Sequence, residues 1–272
     1  MTTPSPLTDL TALSLRRARA TPEALFLHQQ AIDEIQDRLG MVNKSFTAPA
    51  VVTDFPAVWG DLLPEATVVP ASDVLSLEVG AHDLVIHGMS LHWANDPVGQ
   101  LIQCRRALRA DGLFVSAAFG GQTLQELRAC LGQAEASVTG GMSPRVAPMA
   151  ELRDMGGLLQ RAGFALPVAD AVPLTVSYQD AWALMRDLRA MGESNALSAR
   201  LRRPTARAVI ETAAQLYQNH FNDGEGRVIA TFELIFLTGW APDESQQKPL
   251  RPGSAQQRLA DALNTDETKL RN

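Results

Sequence analysis

Three histidines recur every five residues, His82, His87 and His92, and imidazole is the side chain best suited to bind a metal or move a proton near neutral pH. Their spacing rules out a shared ion. On an extended strand rising ~3.3 Å per residue, odd spacing turns His87 to the opposite face and leaves His82 and His92 tens of ångströms apart. Cys104 and Cys130 fall inside helical patterns with no CxxC and no nearby histidine, so they read as buried thiols rather than as metal ligands or a disulfide. No metal site is expected.

His92 and Trp93 stand apart because they follow a strongly apolar run, and open α/β sheets hold ligands at the carboxyl edge of their strands. The pair could act as a general acid or base and as a stacking surface; the alternative is a packed cap on the sheet. Gly88 ends that run and Gly120-Gly121 ends the next one, and a missing side chain lets a ligand or another backbone come close. An ordinary strand-to-helix turn explains these glycines equally well. Asp96 in Asn95-Asp96-Pro97 reads as a helix cap. Arg200, Arg202, Arg203 and Arg207 form a basic cluster, with Lys248 and Arg251 further on. Docking of a protein or an acidic ligand is the functional reading of such a cluster, and a solvated face the ordinary one. Nothing matches a P-loop, a nucleophile elbow or a paired-histidine metal motif.

Elements must hold these residues in place. Asp83–Met89 is apolar without alternation, as a strand buried on both faces is. Asn95-Asp96-Pro97 opens a helix carrying Val98, Leu101, Ile102 and Leu108, Asp111-Gly112 closes it, and Leu113–Ala118 is a second buried strand. Strand, helix, strand in that order is a right-handed βαβ unit with a parallel sheet. Around it the pattern predicts a helix from Pro22 to Leu39, short strands at Ala50–Val52 and Thr67–Val69, and a helix within Phe55–Leu63. Further helices are predicted over 122–138, 149–162, 178–191 and 205–221, with strands over 168–176 and 227–240. The fold class is α/β, with a mostly parallel sheet and helices on both faces.

The chain has 272 residues, 24 Lys+Arg against 30 Asp+Glu for a net charge of −6, and 46% hydrophobic residues. This composition excludes a disordered or fibrous chain and supplies a sizeable core. A single domain is expected over 1–242, made of N-terminal helices in 8–40, a core in 48–138, and a helical cover with the last strands in 139–242. A polar tail follows over 243–272. No stretch reaches the ~18 consecutive apolar residues of a membrane span, and no secretory pattern opens the chain. The expectation is a soluble, cytoplasmic protein, with peripheral membrane contact left open. The segment around Arg16, Arg17 and Arg19 has the Ser/Thr-rich, acid-poor look of a transit peptide, but it runs on into a helix, and the helix is preferred. The acidic balance argues against nucleic acid.

Several passages together resemble the class I methyltransferase superfamily, the doubly wound fold that binds S-adenosylmethionine. They are Asp73-Val74-Leu75-Ser76-Leu77, Gly80–Val85 leading into a strand, and Asp111-Gly112-Leu113-Phe114 after a helix. A finer match runs through Ser90–Asp96, Gly120–Arg128, Ser143–Pro148, Leu184–Arg189 and Glu244–Ser254. It resembles bacterial relatives of the mitochondrial complex I assembly factor of the protein-arginine hydroxylase type. More distantly it is similar to the methyltransferase that esterifies a malonyl carrier protein in the biotin pathway. The resemblance implies S-adenosylmethionine near Asp54, Asp73, Val74, Gly88, Met89 and Leu91, with His92 and Trp93 on the reacting side. It also implies a substrate or protein partner near Gly120, Gly121, Arg145, Lys248 and Arg251, the partner being a complex I subunit.

The sequence departs from that superfamily at its cofactor motif. A glycine-rich turn normally follows the first strand, so that backbone and a helix N-terminus can approach the ligand. Here Thr53–Trp59 follows, and no glycine occurs before Gly60. A βα unit needs roughly 30 residues, and the stretch from Val52 to Asp73 holds one unit too few. The second-strand unit is read as lost, with Val68-Val69 in the third strand's place; Asp54 could by position replace the missing ribose ligand, the alternative being a solvated loop acid. Three functional readings follow: a complex I assembly factor that modifies its subunit by methyl transfer or arginine hydroxylation, or chaperones it; a non-catalytic pseudo-methyltransferase that has lost S-adenosylmethionine; and an active methyltransferase on a small molecule or carrier protein.

Overall fold

The computed structural model describes residues 5–247 and Thr265. Lys248 and Arg251 lie outside the described residues. Met1–Pro242 forms one compact unit and Asp243–Asn272 a second.

Helix α1 (Leu10–Arg17) is capped by Asp9, whose carboxylate accepts from the Ala12 N–H. A 3-10 turn at Pro22–Ala24 leads to helix α2 (Phe26–Gly40), so the single helix expected from Pro22 is two elements. Strand β1 (Pro49–Val52) is followed by one helical turn, α3 (Pro56–Trp59), and by strand β2 (Thr67–Val69). Strand β3 (His82–Gly88), a 3-10 turn at Leu91–Trp93, helix α4 (Pro97–Ala107) and strand β4 (Leu108–Phe119) form the expected βαβ unit. Asp96 caps α4 through the Gly99 N–H at 2.8 Å. Then come helices α5 (Gln125–Thr139) and α6 (Leu152–Ala162), strand β5 (Ala165–Tyr178), helices α7 (Ala181–Ala190) and α8 (Arg207–His220), and strand β6 (Val228–Trp240).

The six strands lie in the order β2-β1-β3-β4-β6-β5, parallel from β2 to β4 and antiparallel where β6 joins β4 and β5. β2 pairs directly with β1, Val51 opposite Val68. This corrects the reading that put Val68-Val69 in the third strand's place: the strand that remains is β1's neighbour, and the sheet stops there. The physical reason is length, since a single helical turn can return the chain only to the adjacent position.

Alternation splits the core into two faces. Val51, Leu84, Ile86 and Val115 pack with α2, α5, α7 and α8, while Ala50, Val52, Val85 and Phe114 pack with α4 and α6. Among the described residues no helix is long and apolar enough to cross a membrane.

His87 sits near the carboxyl end of β3, fully buried, with Nε2 on the Gln100 side chain at 2.9 Å. Burial lowers its pKa to about 4, and burial likewise lowers that of His28 on α2 to about 3. Both are neutral in the fold and titrate near 6.5 when unfolded. The folded pKa lies below the unfolded one, so this stability is complete above about pH 6.5 and is lost as the pH falls from there toward 4. The urea midpoint should therefore drop steadily from pH 7 to pH 4, and a His87→Gln variant should show a shallower drop.

Candidate functional site

The carboxyl ends of β1 and β3 converge on one side chain from outside the sheet. Arg17, at the end of α1, points into this edge with only 3% of its side chain exposed. Its Nη1 donates to Asp54 Oδ2 at 2.6 Å and to Ser90 Oγ at 3.1 Å. Its Nη2 donates to Glu193 Oε1 at 2.9 Å and to the Met89 carbonyl at 3.3 Å. The guanidinium carbon lies 5.3 Å from the centre of the Phe55 ring. Asp54, just past β1, uses its other oxygen to accept from the Ala71 N–H at 3.1 Å, which ties β1's exit to β2's.

Glu193 follows Gly192 in the turn after α7. Gly192 has φ +78°, and a Cβ there would lie 2.9 Å from the Arg17 Cα, so only glycine admits α1 this close. Glu193 Oε2 accepts from Trp93 Nε1 at 2.5 Å and faces His92 Nε2 at 3.5 Å. Burial opposes ionisation of Glu193, but Arg17, His92 and Trp93 together hold its carboxyl well below the usual carboxylate range. The Phe119 N–H donates to His92 Nδ1 at 3.4 Å, which leaves the ring proton on Nε2, toward Glu193. Burial pushes the His92 pKa down against the pull of Glu193. The imidazole is thus a neutral donor held in place.

The second occupant of this edge is Trp59, fully buried, whose ring lies flat against Gly88. A Cβ on residue 88 would stand 2.6 Å from Trp59 Cδ2. Trp59 Nε1 donates to His28 Nδ1 at 2.9 Å, and the His28 ring packs edge-on to Phe55 at 4.5 Å. Gly88 does permit a close approach, and the group that approaches is the chain's own indole.

Two openings flank the filled edge. A cleft of about 530 Å³ lies between α1 and the ends of β1 and β2, with Arg17, Ser14, Thr53 and Asp54 on its walls. On the other side a mostly apolar cavity of about 150 Å³ is lined by Trp93, Phe119, Met149, Met185, Glu193 and Asn195, among others.

The structure brings Asp54, Gly88, Met89, His92 and Trp93 to this one edge. It does not bring Asp73, Val74 or Leu91. Asp73 and Val74 are exposed on a loop pinned to α4 by Gln100 and Gln103, and Leu91 packs into the core on the α4 side of the sheet. The loop that carries Asp73 and Val74 is fastened to α4 and presents those two side chains outward. Arg145 lines the apolar cavity, yet its guanidinium makes paired bonds of 2.9 and 2.6 Å to Glu135, whose carboxyl Arg145 and Ser143 hold at about 2. It is a brace for the loop after α5. Gly120 and Gly121 form a strand-to-helix turn under the Glu233 and Glu151 side chains. Arg17, Trp59, His28 and Glu193 were missed by sequence reading. The available signals were a tryptophan standing where a glycine-rich turn belongs and an acid directly after Gly192 at a helix end.

No family model matches the chain. It is 39% identical over 196 residues to the protein named arginine-hydroxylase NDUFAF5, mitochondrial, of Homo sapiens, covering 71% of this chain and 56% of that one. Its counterpart of the same name in Danio rerio is 38% identical over 202 residues, 73% and 62% of the two chains. The malonyl-[acyl-carrier protein] O-methyltransferase of Laribacter hongkongensis is 36% identical over 179 residues, 66% and 58%. The chain spans less than two thirds of the length of these curated relatives. Among solved structures, the YcgJ protein of Bacillus subtilis overlays with a TM-score of 0.49 at 8% identity, covering 79% of this chain and 99% of that one.

Arg17→Met leaves Glu193 buried without its cation and should cost about 3–5 kcal/mol in urea unfolding. Gly88→Ala drives a methyl into the Trp59 ring and should cost about 1–3 kcal/mol by overpacking. Introduced into a Trp59→Leu background, the same Gly88→Ala change should cost much less in urea unfolding, because the obstructing ring is gone.

Proposed function

The chain belongs to the class I methyltransferase superfamily, with an arginine-hydroxylase and a carrier-protein methyltransferase among its relatives, and from that premise we propose that it serves complex I assembly by holding a protein partner, without S-adenosylmethionine. The observation that carries this reading is the occupancy of the cofactor edge by Trp59 and Arg17. A superfamily cofactor needs an open turn past the first strand and a free acid for its ribose hydroxyls. Here Trp59 covers Gly88, and the acid nearest that position, Asp54, is taken by Arg17 and the Ala71 N–H. β2 is followed by Pro70-Ala71-Ser72-Asp73, and Asp73 lies exposed on the loop tied to α4. Together these contacts support the reading that S-adenosylmethionine is not held here.

The reacting side agrees with this. His92 is a neutral imidazole held between the Phe119 amide and Glu193, and Glu193 is committed to Arg17 and Trp93. What persists is a stable frame, an apolar cavity beside Trp93 large enough for one side chain, and the surfaces around it. The relatives' printed names supply the context of arginine hydroxylation, and the resemblance to complex I assembly factors supplies the partner class. The partner is proposed to be a complex I subunit.

Calorimetric titration of the full chain with S-adenosylmethionine and S-adenosylhomocysteine should give no saturable heat up to millimolar ligand; saturable binding of either would overturn the loss of the cofactor. In cells of the chain's own source, deletion should lower the amount of assembled complex I on native gels while leaving the methyl and hydroxyl content of its subunits unchanged by mass spectrometry. Unaltered assembly, or a modification that disappears on deletion, would each sink the holding role.

A further inference from the structure

Two pairs of arginines face one cleft. Arg16 and Arg19, one turn apart at the end of α1, and Arg186 and Arg189, one turn apart on α7, line with Ala190 and Ser194 a cleft of about 600 Å³. Arg19, Arg186 and Arg189 are exposed. Arg16 is half-buried, and its Nη1 is shut off from solvent with no hydrogen-bond partner. Burial and the neighbouring Arg200 push the Arg16 pKa below its ordinary value against the pull of Asp9.

Among the described residues, none of the four is in an ion pair. The acids on the same segments are engaged elsewhere. Asp9 holds Arg200 and Arg202, Asp187 accepts from the Tyr178 hydroxyl at 2.8 Å, and Glu193 holds Arg17. The walls are fixed to each other by the Thr21 N–H donating to the Ala190 carbonyl at 2.9 Å and by the Asp9 N–H donating to the Ala196 carbonyl at 2.8 Å.

Helix C-termini favour nearby cations, which accounts for Arg16 and Arg189 in the last turns of their helices. It does not account for four unpaired guanidiniums in one concavity of a chain whose net charge is −6, or for the orphaned nitrogen of Arg16. The complement of such a cleft is an oxyanion that takes several forked N–H donors at once. An extended acidic segment carries successive carboxylates on alternate sides, so few of them reach a single concavity. A phosphoryl group concentrates close to two charges and three acceptor oxygens on one centre.

We propose that the arginine cleft between α1 and α7 is a binding site for a small, multiply charged phosphoryl anion. Calorimetry of the full chain with inorganic pyrophosphate at low ionic strength tests it. Saturable binding is expected, weakened at least about tenfold in Arg186→Ser/Arg189→Ser, since each charge-assisted bond removed is worth more than a neutral one. Those two residues are exposed, and an unchanged melting temperature without ligand checks that the fold is intact. A control, Arg202→Ser/Arg203→Ser, removes the same charge nearby and should bind as the wild type does. Absence of saturable heat with the wild type, or equal weakening in both double variants, overturns the site. Displacement of pyrophosphate by a polyglutamate peptide at lower concentration also overturns it, in favour of an acidic protein segment.

Discussion

A guanidinium removed from water must be surrounded by acceptors or the fold loses several kcal/mol, and Arg17 imposes that condition on four separate stretches of chain. Asp54 comes from the exit of β1, Met89 and Ser90 from the exit of β3, Glu193 from the turn behind α7, and the arginine itself from α1. Each acceptor is correctly placed only if the others are. Glu193 extends the condition to Trp93 and His92, and His92 extends it to the Phe119 amide at the end of β4. The carboxyl edge of the sheet is therefore a densely linked polar network, in which Arg17 Nε and His92 Nε2 are the buried nitrogens left without a hydrogen-bond partner among the described residues. Admitting a ligand there would strand either one cation or two anions in a poorly solvated place.

The short connection after β1 works toward the same end by packing. A helix of one turn cannot cover the sheet face beneath it, and the residue that closes it, Trp59, turns inward instead. Its ring fills the space above Gly88, and its N–H finds a neutral acceptor in His28. Burial keeps that imidazole uncharged, which is what lets it accept. Loss of a βα unit and filling of the edge are two aspects of one rearrangement.

Much of this frame was legible in the sequence. The unalternating apolar run at Asp83–Met89 marked a central strand, Asp96 marked the start of α4, and the order strand, helix, strand implied the parallel pairing. The departure from a glycine-rich turn was legible as well, as a tryptophan where small residues belong. What replaced it was not, because Arg17 meets Glu193 across 176 positions of chain and no local spacing encodes that meeting. Asp73 and Val74 looked like site residues by likeness alone. Only the hydrogen bonds of Gln100 and Gln103 decide that their loop faces outward. Arg145 resembled a binding residue for a similar reason, its partner Glu135 lying on a neighbouring helix.

The same truncation leaves a mark at the far side of the sheet's design. A strand at a sheet margin offers unpaired amides to any passing chain, and that invitation leads to fibres and precipitates. One margin here is β2, only three residues long, too brief to template another strand. The other is β5, long but interrupted by Pro167 and Pro173, which lack amide hydrogens, and by an irregular register between Ala165 and Val168. The sheet thus has two blunt borders, and its own backbone is kept from joining that of another chain.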